Sequence, residues 1–275
     1  MKVSPEAAAL FIAALELAVP VAPRIRIFAA DSNDNDGGGA GGSDGGIDGG
    51  FVPQTDKDQA TVVGSNIIGF AQGVTAEDRS TIAQSSLLAQ LATNKAVGTL
   101  QTPSDLGKWY DNYLKVVGNT GWVLQGQNVE TYTSGASDAE INEAIEGVAE
   151  AFLGPAATTL VLLKATLGAL QKVSNGPWLT LYSNSSQQAT MACFSTTLAS
   201  IDPDATLILK CMGFGLTKYD NTTQVLFFKW RSQKAVLTDL QATFSVDRAT
   251  SAAVKDAVAA KIAAYESDYI KSIDL

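Results

Sequence analysis

The hydropathic period of this chain turns from helical to strand-like past its middle and returns to helical near the end, and the first of these changes dictates the kind of fold open to it. Between residues 56 and 173 apolar side chains recur at the three- and four-residue spacing of helices. Between 178 and 246 they gather in runs rich in Thr, Val, Phe and Leu, separated by turn-forming residues around Asn184, Pro203 and Asp220. A helix buries a stripe and a strand buries alternate residues, so this chain must lay helices on a sheet. The pattern predicts helices over 57–72, 76–96, 104–117, 138–153 and 156–173, with a small hairpin made from 122–124 and 128–132. It predicts strands over 178–182, 188–198, 205–219, 222–231 and 235–246. A last amphipathic helix is expected over 251–272, with Val254, Val258, Ile262, Tyr265 and Tyr269 along one face. The expected class is α+β: a helical N-terminal half packed on a C-terminal antiparallel β-meander of about five strands, closed by a C-terminal helix.

Helix starts are marked in the sequence. Thr75 precedes Glu77 and Asp78, Pro103 precedes Asp105, and Ser137 precedes Asp138 and Glu140, so carboxylates fall in first turns where the helix dipole favours them. At the N-terminus Ser4 is a cap and Pro5 suits the first helical position. Glu6 and Glu16 interrupt the apolar stretch that follows, which argues against a secretion signal, and the stretch is too short to span a bilayer. Residues 24–28 read as a strand or an extended linker. Residues 156–170 are apolar on nearly every side, as in a helix at the centre of a core or in lipid; Lys164 and the Gly154-Pro155 pair favour the core.

A length of 275 residues accommodates a single α+β domain over 1–275. Within it, 31–50 holds nine glycines among twenty residues and cannot bury enough apolar surface to offset its ordering entropy, so a flexible Gly/Asp-rich loop is expected there. Asp31, Asn33 and Asn35 have the alternate spacing of a calcium loop, but its glycine and its bidentate glutamate are missing, so no metal site is expected. The net charge is −9, and no basic patch offsets it, which disfavours nucleic acid as a partner. The excess is one-sided. Residues 1–177 carry ten Lys and Arg against nineteen Asp and Glu, whereas 178–275 carry nine of each, so the second half approaches an anionic lipid surface without net repulsion.

The chain contains no histidine, the commonest general base, metal ligand and activator of a nucleophile. No catalytic residue is assigned and an enzyme is not expected. Asp202 and Asp204 flank Pro203 as in a turn, and Asp34 and Asp36 sit in the Gly/Asp segment. Asn184 and Asn221 begin glycosylation-type triplets that read as turns. The aromatic residues Trp109, Tyr110, Tyr113, Trp122, Trp178 and Trp230 read first as packing, with a ligand site or a membrane interface as the alternative.

The reactive atom that remains is a thiol. Strand alternation puts Leu207, Leu209, Cys211 and Gly213 on one face, with Ile208, Lys210, Met212 and Phe214 on the other. Gly213 and Gly215 remove side chains beside Cys211, which makes room for a long apolar object on the sheet or marks a bulge or a tight helix contact. A buried thiol is a poor catalyst, but an acylated one is neutral, and its chain can be buried. At about 0.8 kcal/mol per methylene, a chain of about sixteen carbons gains on the order of 10 kcal/mol on leaving water, enough to compete between a protein cavity and a bilayer. Cys193 is the second cysteine. Pairing with Cys211 and two separate reduced thiols both remain open.

The run Ile208-Leu-Lys-Cys-Met-Gly-Phe214, followed by Tyr219-Asp-Asn-Thr-Thr-Gln-Val-Leu-Phe-Phe-Lys-Trp230, resembles the Evf family of virulence factors from insect-associated bacteria. The resemblance covers roughly 178–275. It implies helices around antiparallel strands, a covalently bound palmitate on a cysteine through a thioester, binding to lipid vesicles or a host membrane, and a role in insect gut persistence. Carried over to this chain, it places the palmitate on Cys211 and assigns no other residue; strand alternation makes Leu207, Leu209, Gly213 and Gly215 the expected lining of the lipid cavity, and Cys193 is the alternative attachment site. A lipid-modified effector of this kind is expected to be soluble with reversible membrane association; the N-terminal stretch is not a convincing signal peptide, so the sequence assigns no location and leaves a non-classical export route open. Two rival readings are a pore-forming toxin that inserts the 156–173 helix or the strands, and an enzyme acting on a hydrophobic small molecule.

Overall fold

A computed structural model describes residues 3–18, 27–29, 53, 55–98, 100–133, 141–172, 191–217 and 236–271. Its elements run α1 (Pro5–Ala14), β1 (Ile27–Ala29), β2 (Gln59–Val63), β3 (Asn66–Phe70), α2 (Ala76–Val97), α3 (Pro103–Asn119) and β4 (Trp122–Thr133). Then follow α4 (Ile141–Leu153), α5 (Thr158–Lys172), β5 (Met191–Ile201), β6 (Leu207–Thr217), β7 (Val236–Val246) and α6 (Arg248–Lys271). The class is α+β, with a C-terminal helix after the strands. The seven strands form one sheet in the order β1-β2-β3-β5-β6-β7-β4. Every neighbouring pair is antiparallel except β3 and β5, which run parallel with Asn66 opposite Ser195 and Phe70 opposite Ala199.

The meander is present as β5, β6 and β7, but the sheet is wider and mixed. Residues 59–70, expected within a helix over 57–72, form the β2–β3 hairpin instead. Gly64 (φ 58°) and Ser65 make its two-residue turn between Val63 and Asn66. All of β3 is buried, so it shows no polar alternation to mark it as a strand. The hairpin expected within 122–132 is a single strand at the far edge beside β7. A bulge between Leu124 and Gly126 leaves Gln125 out of the ladder, and its side chain donates to Ser245 Oγ at 2.8 Å. The strands expected over 178–182 and 222–231, and the loop over 31–50, lie outside the described residues.

The sheet carries a separate core on each face. One contains Leu207, Leu209, Cys211, Leu240, Ala242 and Phe244, covered by α1, α2, α3 and α6. The other contains Ile67, Phe194, Leu198, Met212 and Phe214, covered by α4 and α5. Helix α5 buries Leu160, Leu162, Leu163 and Leu167, while Lys164 reaches Glu146 and Glu150 on its outer side. Gly69 lets it approach closely: a Cβ there would lie 3.1 Å from Leu162. Among the described residues no helix is long and apolar enough to cross a membrane.

Arg79 ties the hairpin to α2. It is fully buried and donates to the carbonyls of Val74 (2.9 Å), Lys57 (3.0 Å) and Ala71 (3.1 Å) and to Gln59 Oε1 (3.1 Å). Burial lowers its pKa, with Asp58 and Asp56 acting in the opposite direction. Helices α2 and α6 are joined at their N-terminal ends by Arg248 on Asp78 and by Lys255 on Glu77 at 2.6 Å.

Candidate functional site

Helix α3 starts with a reciprocal cap. Thr102 Oγ1 accepts from the backbone N–H of Asp105 at 3.2 Å, and the Asp105 carboxylate accepts from the backbone N–H of Thr102 at 3.0 Å. The Thr102 hydroxyl also donates to the Asp105 carboxylate at 2.8 Å, and that bond above all, with the backbone N–H groups of Gln101 and Thr102 behind it, holds the carboxyl below its ordinary pKa. From this cap, Leu106, Tyr110 and Tyr113 fall at three- and four-residue spacing on the buried side, each less than a tenth exposed.

That side of α3 lies along β6. A Cβ built on Gly215 would collide with Leu106, and one on Gly213 would collide with the Tyr110 ring. A helical step of four residues rises about 6 Å, and two strand residues advance about 7 Å, so successive α3 side chains match successive same-face positions of β6. The expectation of space beside Cys211 meets a definite occupant: Leu106 and Tyr110 fill what the glycines leave open. Tyr110 Oη lies 3.1 Å from the carbonyl oxygens of both Phe194 and Phe214, where a tyrosine hydroxyl donates. The notch is the tight helix contact that the sequence left as one alternative.

Cys211 is 6% exposed, on the same face as Leu207, Leu209 and both glycines, as alternation requires. Thr197, directly opposite on β5, donates to Cys211 Sγ at 3.6 Å. Asn66 Nδ2 donates to Thr197 Oγ1 (3.0 Å), Ser86 Oγ (2.9 Å) and, more weakly, Tyr113 Oη (3.4 Å). Gln90 extends this buried seam, donating to Ser86 Oγ at 3.1 Å and to the Val63 carbonyl at 2.9 Å. Burial pushes the Cys211 thiol up to about 12, against the opposing bond from Thr197. Burial also raises Tyr113, with Cys211 adding to the effect. The sulfur is therefore a neutral thiol at physiological pH, held from one side by a hydroxyl.

Cys193 is partly buried, and burial pushes its thiol up to about 12. It stands opposite Gly215, whereas Cys211 stands opposite Thr197. Four residues of strand separate the two levels, roughly 14 Å, so the thiols are out of bonding range and both are free. The cysteines mark opposite ends of one row on one face, with Ser195 and Gly213 between them.

The remaining sequence candidates separate into structural roles or fall outside the description. Asp202 makes a turn, accepting from the backbone N–H of Thr206 at 2.7 Å and, through its carbonyl, from that of Ala205 at 3.0 Å. Trp109 stacks on Tyr113 with centroids 5.2 Å apart and donates to Asn94 Oδ1 at 2.8 Å. Trp122 is buried in the core. Asp31, Asn33, Asp34, Asn35, Asp36, Trp178, Asn184, Asn221 and Trp230 lie outside the described residues. The sequence reading missed the seam of Asn66, Ser86 and Gln90. Its signal was available as polar residues interrupting the inward side of α2.

No protein-family model matches the chain, and no curated protein does. Solved structures similar to it include one titled delta-endotoxin, at 11% identity and TM-score 0.42, covering 77% of this chain and 91% of that one. Another is the Evf virulence factor, at 14% identity and TM-score 0.35, covering 74% and 79%. A third is the activated Cyt2Ba monomer of Bacillus thuringiensis subsp. israelensis, at 8% identity and TM-score 0.37, covering 67% and 98%. These superpositions are loose and assign the chain neither a family nor an activity.

Proposed function

We propose that this chain is a membrane-associating effector that carries a fatty acyl group of the palmitoyl class as a thioester on Cys211. The observation that supports the reading is the row Cys211, Gly213, Gly215. It is a buried strip of strand whose only side-chain atoms belong to the sulfur residue, filled from above by Leu106 and Tyr110. An acyl chain leaving Cys211 along β6 competes with α3 for this strip. With the chain on the sheet, Leu106 and Tyr110 give way; with α3 seated, the chain is outside and available to a bilayer. Transfer of on the order of 10 kcal/mol of apolar surface is large enough to drive either state, and a single chain gives reversible attachment.

The reading assigns the chain no catalytic activity. A thiol raised to about 12 is almost wholly protonated at neutral pH and is a weak nucleophile. Attachment therefore belongs to a stage before α3 closes over β6. The acyl carbon of an activated thioester donor then bonds to Cys211 Sγ, and the donor's thiol departs with the proton that Cys211 gives up.

The test is intact-protein mass on material from the source organism. An increment on the order of 240 Da, removed by hydroxylamine and mapped to Cys211, is the expected result for one long acyl chain. An unmodified mass overturns the reading. Dye-loaded anionic vesicles provide the second arm: binding with little leakage is expected, and rapid release of dye would replace this reading with that of a pore-forming toxin.

A further inference from the structure

Ser195 stands in register with Gly213 on β5, and so lies diagonally beside Cys211 on the same sheet face. It is 4% exposed, and its hydroxyl has no hydrogen-bond partner. Its backbone N–H is engaged by the Ser65 carbonyl at 2.9 Å, so only the side chain is left over. Gly213 offers it no atom to bond, and Thr197, the next residue on this face, is occupied by Asn66 and the Cys211 sulfur. A buried hydroxyl in this position stabilises nothing while Cys211 is a free thiol.

Acylation changes what this face requires. The sulfur loses its hydrogen and gains a carbonyl, and a carbonyl oxygen brought out of water needs a donor. We infer that Ser195 is the hydrogen-bond donor to the carbonyl oxygen of an acyl thioester on Cys211. The inference rests on the thioester reading above and adds the residue that orients the ester. With Ser195 bonded to the oxygen, the acyl chain is directed away from Thr197 and along Gly213 and Gly215 toward the Cys193 end of the row. Ser195 is a positioning residue: it takes no part in forming or breaking the thioester.

Isotope-edited infrared spectroscopy tests this on protein acylated with carbonyl-labelled palmitate, comparing wild type with Ser195→Ala. A hydrogen-bonded thioester carbonyl absorbs at lower frequency, so the labelled band is expected to move up in the variant. A band at the same frequency in both proteins, with acyl mass present on Cys211, overturns the inference and leaves the thioester reading intact. Absence of acyl mass from Cys211 overturns both. The unmodified recombinant protein supplies an independent readout: Ser195→Ala removes a partnerless hydroxyl and is expected to raise the urea midpoint. An unchanged or lowered midpoint shows that the hydroxyl is used without the ester and also overturns the inference.

Discussion

Cys211 and the two glycines that follow it act through what they exclude. Burial raises the folded-state pKa of the Cys211 thiol from 9.0 to about 12, so below pH 9 folded and unfolded chains both hold the proton. Between pH 9 and 12 the unfolded chain releases it while the folded chain retains it. Stability is therefore lost as pH rises through this window, by about 1.4 kcal/mol per pH unit for one thiol. Denaturant titrations at pH 8 and pH 10.5 are expected to show a smaller loss for Cys211→Ala than for wild type; equal losses would mean that the thiol titrates normally. At Gly215 the added methyl of an alanine collides with Leu106. Gly215→Ala is expected to cost about 1–3 kcal/mol, and Leu106→Ala in the same chain to recover part of that loss, measured as a double-mutant cycle. The glycines were conspicuous in the sequence. Their occupants were not, because Leu106 and Tyr110 are more than a hundred positions away and ordinary at their own sites in a helix.

Among the elements, α3 connects the local sequence to the site. Its start was legible from Pro103 and the carboxylate of Asp105 in the first turn, which are short-range signals; the structure adds Thr102, which with Asp105 three residues on forms a reciprocal cap. Thr102→Ala removes the hydroxyl that accepts from Asp105 and is expected to cost about 1 kcal/mol by urea denaturation. Hydrogen exchange in the same variant is expected to quicken first in the N-terminal turn of α3, the part that places Leu106 over Gly215. The helices over 76–96 and 104–117 were legible from periodic apolar positions and local start signals, and that over 156–173 from a long apolar run bounded by Gly154-Pro155. The β2–β3 hairpin was not. Five-residue strands buried on both faces carry no period, and the run around Ile67 and Ile68 fits a helix as readily when read alone.

At the scale of the molecule, one sheet serves two cores. Met212 and Phe214 of β6 pack under α4 and α5, while Cys211 and Leu209 of the same strand pack under α2 and α3. Removing either helical layer exposes the sheet that supports the other, so the described parts are expected to unfold together, as a single domain would. Far-ultraviolet circular dichroism and the tryptophan fluorescence of a Trp178→Phe, Trp230→Phe variant, which keeps Trp109 and Trp122 as reporters on the α2–α3 side, are expected to give coincident urea transitions. Separated midpoints would show that the layers melt independently.

Local pattern in the chain was enough for the α+β class, for the helices from α2 to α6, for β5, β6 and β7, and for the alternation that turns Cys211 inward with Gly213. Each of these follows from neighbours within a few residues, through backbone period, capping and turn geometry. Long-range packing alone sets the β2–β3 hairpin parallel to β5 through β3, puts β4 in the sheet beyond β7, holds the two cysteines out of bonding range and fills the glycine strip with α3. These depend on free-energy differences between whole packings, in which side chains distant in sequence compete for the same buried volume.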